Sequence, residues 1–176
     1  GTLTQNKMTA VTAFISGSDS LKEISSDDSE ELRRLLFLAS LCCNSAIVEN
    51  GDSADHIGGP TETAITAAAF SKGISKNEID ITNPRLAEIP FDSDRKLMST
   101  INLISGKNTV IVKGAYDSLI KRCINEHDGI SSGMNDLMTS DALRVIAVAY
   151  REIEAIPSGP EIEKIENDLT FLGLIG

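Results

Sequence analysis

Apolar residues recur three and four apart from Leu32 through Leu35, Leu36, Ala39, Cys42 and Cys43, which is the stripe of an amphipathic helix. Glu30 and Glu31 precede it, where carboxylates favour the positive end of the aligned peptide dipoles. A helix is therefore predicted from about Ser29 to Asn44. A second begins at Pro60, a residue suited to the first helical turn. It carries Glu62 in that turn, runs through Ile65 and Ala69, and stops at Gly73. Between them and after them the pattern changes. Residues 86–91, 97–104 and 109–113 are apolar or β-branched runs, and Ser105-Gly106-Lys107-Asn108 separates the last two as a hairpin signal. These runs predict an antiparallel sheet.

The remaining segments fit the same picture. Met8 to Ile15 is Thr-rich and β-prone, and is followed by polar stretches, Ser16 to Ser20 and Ser25 to Asp28, that read as an exposed loop. Ala115 to Cys123 predicts a short helix with Leu119 and Ile120 turned inward. Leu143 to Tyr150 predicts a central strand opened by Arg144, and Glu161 to Asn167 a turn or two of helix. Leu169 to Gly176 is an apolar strand. The fold class that follows is α+β: a twisted antiparallel β-sheet flanked by helices.

Size and charge narrow the function classes. At 176 residues the chain can bury the core of one domain. Its formal charge of -10 argues against nucleic acid as a partner, since phosphate-tracking surfaces need a basic excess. Cys42, Cys43 and Cys123 have neither zinc nor disulfide spacing and read as reduced thiols. No apolar run approaches the ~20 residues of a membrane span, so the chain itself is expected not to contact the membrane. His56 and His127 stand alone in polar segments and receive no role.

Chemistry concentrates in two short segments, Glu88 to Lys96 and Val110 to Ala115. Aromatic residues are scarce, with five Phe, two Tyr and no Trp, so Phe91 followed directly by Asp92 to Lys96 is unusual. On a strand by itself it would read as core. Beside charges it offers a face for a base, and stacking there would contribute roughly 1 to 3 kcal/mol. Lys96 reads by default as a solvated cation. Lys113 ends an apolar strand and precedes Gly114, whose missing side chain allows close backbone approach, so a binding role is favoured there. Glu62 taken alone would merely complement its helix terminus, and Arg144 would be a surface cation of little energetic weight.

Four segments in order, Gly59-Pro60-Thr61-Glu62-Thr63-Ala64, Glu88 to Lys96, Val110 to Ala115 and Leu143 to Ala149, resemble the nucleotide-binding domain of type II P-type cation-transporting ATPases, of the bacterial calcium-transporting kind. The ends extend the likeness. Gly1 to Met8 resembles the latter part of the family's Asp-Lys-Thr-Gly-Thr-Leu-Thr signature, whose phosphorylated Asp would precede Gly1, and Leu169 to Gly176 resembles the strand returning to the phosphorylation domain. The resemblance divides the chain into 1–8, 9–168 and 169–176, with the nucleotide-binding domain in the middle. It implies that Phe91 stacks on the adenine of ATP, that Glu62 meets the amino edge, and that Lys113, Gly114 and Ala115 line the base pocket. It further implies that Lys96 and Arg144 face ribose and phosphates, and that Met98 and Ile146 supply apolar wall. Gly59 departs from the family, which usually has an acidic residue there.

The same resemblance implies a cytoplasmic domain of an integral membrane pump whose partners are the phosphorylation and actuator domains of the parent polypeptide. ATP, with Mg2+ in the intact pump, would phosphorylate an Asp outside this chain. This chain would then bind ATP without hydrolysing it. The alternative from another class is a non-catalytic nucleotide-sensing or interaction module.

Overall fold

Strict alternation along the central strands puts apolar side chains on both faces of one sheet, so helices must cover it on both sides. The computed structural model describes residues 7–126 and 129–176; most of the Gly1 to Met8 segment and His127 lie outside the described residues. Its strands are β1 (Thr12–Ile15), β2 (Lys22–Glu23), β3 (Ala46–Asn50), β4 (Ser53–Ile57), β5 (Arg85–Asp92), β6 (Leu97–Ile104), β7 (Lys107–Gly114), β8 (Ile146–Ile153) and β9 (Thr170–Ile175). Its α-helices are α1 (Glu30–Leu41), α2 (Pro60–Ser71), α3 (Lys76–Thr82), α4 (Tyr116–Leu119) and α5 (Ile130–Ser140). Two 3-10 helices, Ile120–Arg122 and Gly159–Glu166, complete the set.

Seven strands form an antiparallel sheet in the order β2-β1-β9-β8-β7-β6-β5, and β3 with β4 makes a separate hairpin. On one face Met98, Ile111, Val148 and Ile175 pack against Leu32, Leu35 and Leu36 of α1 and Ile65 and Ala69 of α2. On the other, Leu97, Ile101, Val110, Val112, Ala147 and Leu174 pack against Leu119 of α4 and Met138 of α5. Both α1 and α2 have 12 residues, the marginal length for a helix alone in water, so burial of this core stabilises them. Each buried Leu or Ile contributes roughly 1.5 to 3 kcal/mol.

The expected helices and strands are present. Ser29 caps α1, its hydroxyl accepting from the Leu32 amide at 3.3 Å, and Pro60 begins α2. The turn between β6 and β7 is Ser105-Gly106, with φ of 51° and 77°, the two positive values of the favoured two-residue hairpin turn. The strand expected from Leu143 starts instead at Ile146, leaving Arg144 in the preceding loop. His56 lies on β4 with its ring edge-on to Phe70 at 5.8 Å, not alone in a loop. Within residues 169–176, β9 is an interior strand between β1 and β8, with Phe171 and Leu174 buried.

Candidate functional site

The site is built by an irregularity at the sheet edge. Ile89 pairs with Ser99 and Asp92 with Leu97, so β5 advances three residues while β6 advances two. Pro90 and Phe91 therefore both stand opposite Met98, a β-bulge. Proline is tolerated there because an edge strand and a bulge ask for no amide at that position. The extra residue matters for direction: it turns Phe91 to the face that carries Met98 and Lys113. Met98 pairs directly with Lys113, so the three form one row across β5, β6 and β7. Phe91 is 63% exposed at the outer end, whereas Met98 and Lys113 are buried.

Lys113 is held at the inner end by its neighbours. Its Nζ lies 3.1 Å from Glu62 Oε1 and 3.7 Å from Met98 Sδ. Burial works against the ammonium, yet the Cys42 and Cys43 sulfurs, once deprotonated at alkaline pH, and the Glu62 carboxylate outweigh it, and the Lys113 pKa lies above the ordinary lysine value. At neutral pH both thiols are protonated, because burial raises Cys42 and pushes Cys43 up to about 12. Glu62 is then the partner that balances the charge. From the first turn of α2 its other oxygen accepts from the Asn44 amide at 2.7 Å.

Asn44 and Arg85 belong to this network and were not singled out from the sequence. The Arg85 guanidinium donates to Asn44 Oδ1 at 2.6 Å and to the Leu41 and Cys43 carbonyls at 2.9 Å, closing the C-terminal end of α1 onto β5. Cations near a helix C-terminus satisfy its free carbonyls, but no local pattern announces a partner about forty positions away in the chain.

The other expected residues fall at the same end of the sheet. Ala115 N–H donates to the Lys96 carbonyl at 3.1 Å, joining the two chemistry-bearing segments. The β7 to β8 ladder ends with the pair of Gly114 and Ala147, and Ile146 at the start of β8 packs on the α1 and α2 core. Arg144 is exposed, and its Nη1 donates to Thr61 Oγ1 of α2 at 3.3 Å. Lys96 is exposed with φ of 61°, an uncommon left-handed conformation for a lysine. Gly114 uses its freedom within the chain: a Cβ there would sit 2.1 Å from the Lys96 carbonyl oxygen. The close approach expected for a ligand is filled by the backbone of the loop that follows Phe91.

The arrangement thus offers an exposed aromatic face, an ammonium-carboxylate pair with both donor and acceptor capacity, and two exposed cations, Lys96 and Arg144. That set suits a planar heteroaromatic group bearing an anionic tail.

Among known proteins, the family model described as P-type ATPase, cytoplasmic domain N, matches residues 31–131. The chain is 37% identical to calcium-transporting ATPase 1 of Lactococcus lactis over 99% of its own length and 21% of that protein. It is 35% identical to the calcium-transporting ATPase of Bacillus subtilis over its whole length and 23% of that protein. It is 35% identical to a calcium-transporting ATPase of Listeria monocytogenes over 99% and 21%. The chain spans about a fifth of the length of these curated relatives.

Proposed function

Because the chain belongs to the family of P-type ATPase cytoplasmic N domains, we propose that it binds ATP across the row Phe91, Met98 and Lys113 and delivers the terminal phosphate to an aspartate of a neighbouring domain. Adenine stacks on Phe91, which contributes roughly 1 to 3 kcal/mol. Lys113 and Glu62 recognise the base edge as donor and acceptor, with Gly114, Ala115, Met98 and Ile146 forming the wall. Lys96 and Arg144 face the ribose and phosphates. In the parent protein, phosphoryl transfer forms an aspartyl-phosphate whose hydrolysis drives cation movement, with calcium the ion suggested by the names of the relatives.

The observation behind this reading is the bulge at Pro90-Phe91, which turns an exposed aromatic ring to the face bearing a buried, charge-balanced lysine. Among the described residues no group of three or more His, Cys, Asp or Glu could hold a metal ion. In the parent protein Mg2+ would accompany the ATP phosphates.

A chemical-shift titration with ATP and AMP tests the reading. Without contacts from a partner domain, the expected affinity is of order 0.1 to several mM. Phe91→Ala should weaken ATP and AMP alike, by about tenfold or more, because both present the same base. Equal affinities for wild type and Phe91→Ala would refute the stacking role.

A further inference from the structure

We propose that Glu166, buried on the opposite face of the sheet, is a positioning residue for this nucleotide site, acting through Arg95 on the β5 bulge that carries Phe91 and on the loop that carries Lys96. The inference rests on the reading that Phe91 stacks on the base. Glu166 ends the second 3-10 helix and is fully buried. An isolated carboxylate would be costly there. It is met instead by the Ser99 hydroxyl of β6, by Arg95 Nε at 2.9 Å, and by Arg122 Nη1 at 3.9 Å.

Arg95 passes this anchor to the loop. Its Nη2 donates to the Pro90 carbonyl at 3.2 Å and to the Leu97 carbonyl at 3.0 Å. One guanidinium therefore ties together the residue before Phe91 and the residue after Lys96, while Glu166 fixes its plane. A rigid planar fork can hold three acceptors in this way, and a single-point ammonium cannot. Within the loop, Asp92 Oδ1 accepts from the Asp94 and Arg95 amides at 2.7 and 3.0 Å, and Lys96 keeps its left-handed φ. Such backbone conformations persist where the surroundings over-determine them. Pinned at both ends, the bulge has one way to aim Phe91, so the Glu166 to Arg95 link sets the base-stacking geometry without touching nucleotide.

The test is a double-mutant cycle on wild type, Phe91→Ala, Glu166→Gln and the double variant. ATP and AMP dissociation constants are measured by chemical-shift titration well below the lowest melting midpoint. Glu166→Gln should weaken both nucleotides about threefold or more when Phe91 is present, and should change them little in the Phe91→Ala background, the signature of coupled sites. The Phe91 ring resonances should also shift in Glu166→Gln. Should Glu166→Gln fail to fold, Arg95→Lys, which keeps the charge and loses the fork, is expected to give the same loss and the same dependence on Phe91. Unchanged affinities with unmoved Phe91 resonances, or equal losses in both backgrounds, would overturn the positioning role even if the melting temperature falls. Wild-type affinity in Phe91→Ala would instead overturn the stacking reading, and this inference with it.

Discussion

Lys113 keeps its charge at a buried position because Glu62 answers it, and the two together can be separated from the stability they confer. Glu62→Ala strands the ammonium and the Asn44 amide without an acceptor, and leaving such groups unpaired costs about 1 to 3 kcal/mol. Replacing both members, Glu62→Gln with Lys113→Met, removes the buried charge and leaves an oxygen for Asn44. The double variant should regain most of the lost stability. It should not regain nucleotide binding or preference for ATP over GTP, and thermal melting beside titrations with both nucleotides measures the split. If Glu62→Ala lowers the melting temperature while the ratio of ATP to GTP affinity stays as in wild type, Glu62 serves the fold alone.

The strand ends behave as one unit with the loop between β5 and β6. Gly114 pairs with Leu97, and an added Cβ would meet the Lys96 carbonyl oxygen at 2.1 Å, a backbone atom with no flexible end to yield. Gly114→Ala must therefore part β6 from β7 where the Phe91 loop is rooted, a packing strain of about 1 to 3 kcal/mol. We expect a lower denaturation midpoint together with weaker ATP binding. Gly133→Ala is the control. It lies within α5 with nothing within 4 Å of the added carbon, and alanine there should stabilise the helix by about 0.5 to 1 kcal/mol. Loss of stability at Gly114 with unchanged nucleotide affinity would detach the strand junction from the site.

For the whole molecule, the buried thiols set the alkaline limit. Burial raises all three from the ordinary 9.0, with Cys43 and Cys123 pushed up to about 12. A raised folded pKa means that the unfolded chain releases the proton first. Stability is therefore full below pH 9 and falls as pH climbs toward about 12, by about 1.4 kcal/mol per pH unit for each of Cys43 and Cys123, with Cys42 acting in the same direction. On the acid side, the Ser29 hydroxyl and amide hold Asp27 down to about 2, so its contribution is present above pH 3.8 and lost as pH falls toward 2. Melting temperatures across this range should show a plateau with an alkaline fall. Replacing Cys42, Cys43 and Cys123 by Ala should flatten that fall. A fall of unchanged steepness would exclude the thiols as its cause.

Local sequence determined the elements whose causes are local. The Leu32 to Cys43 stripe, Pro60, and Ser105-Gly106 each dictate a helix, a helix start or a turn through neighbours a few residues away. The β3 to β4 hairpin was equally legible in its two-residue turn Gly51-Asp52 after Ile47 and Val48, although it was not among the predicted elements. Two helices were harder to read. The short α3 and the Ser-, Gly- and Asn-bearing α5 have weak intrinsic preference, and α5 is secured by tertiary contacts, with Met138 buried and Ser131 bonded to the Tyr116 hydroxyl at 2.7 Å. The residue types of the candidate site were visible as well, in Phe91, Lys113 and Glu62. Their meeting was not: the bulge that turns Phe91 to the Lys113 face, the bond from Glu62 to Asn44, and the buried Glu166 beneath the loop depend on which strands pair and in what register. Register is decided by the packing of the whole sheet between its two helical layers, so residues dozens of positions apart acquire partners that no local pattern specifies.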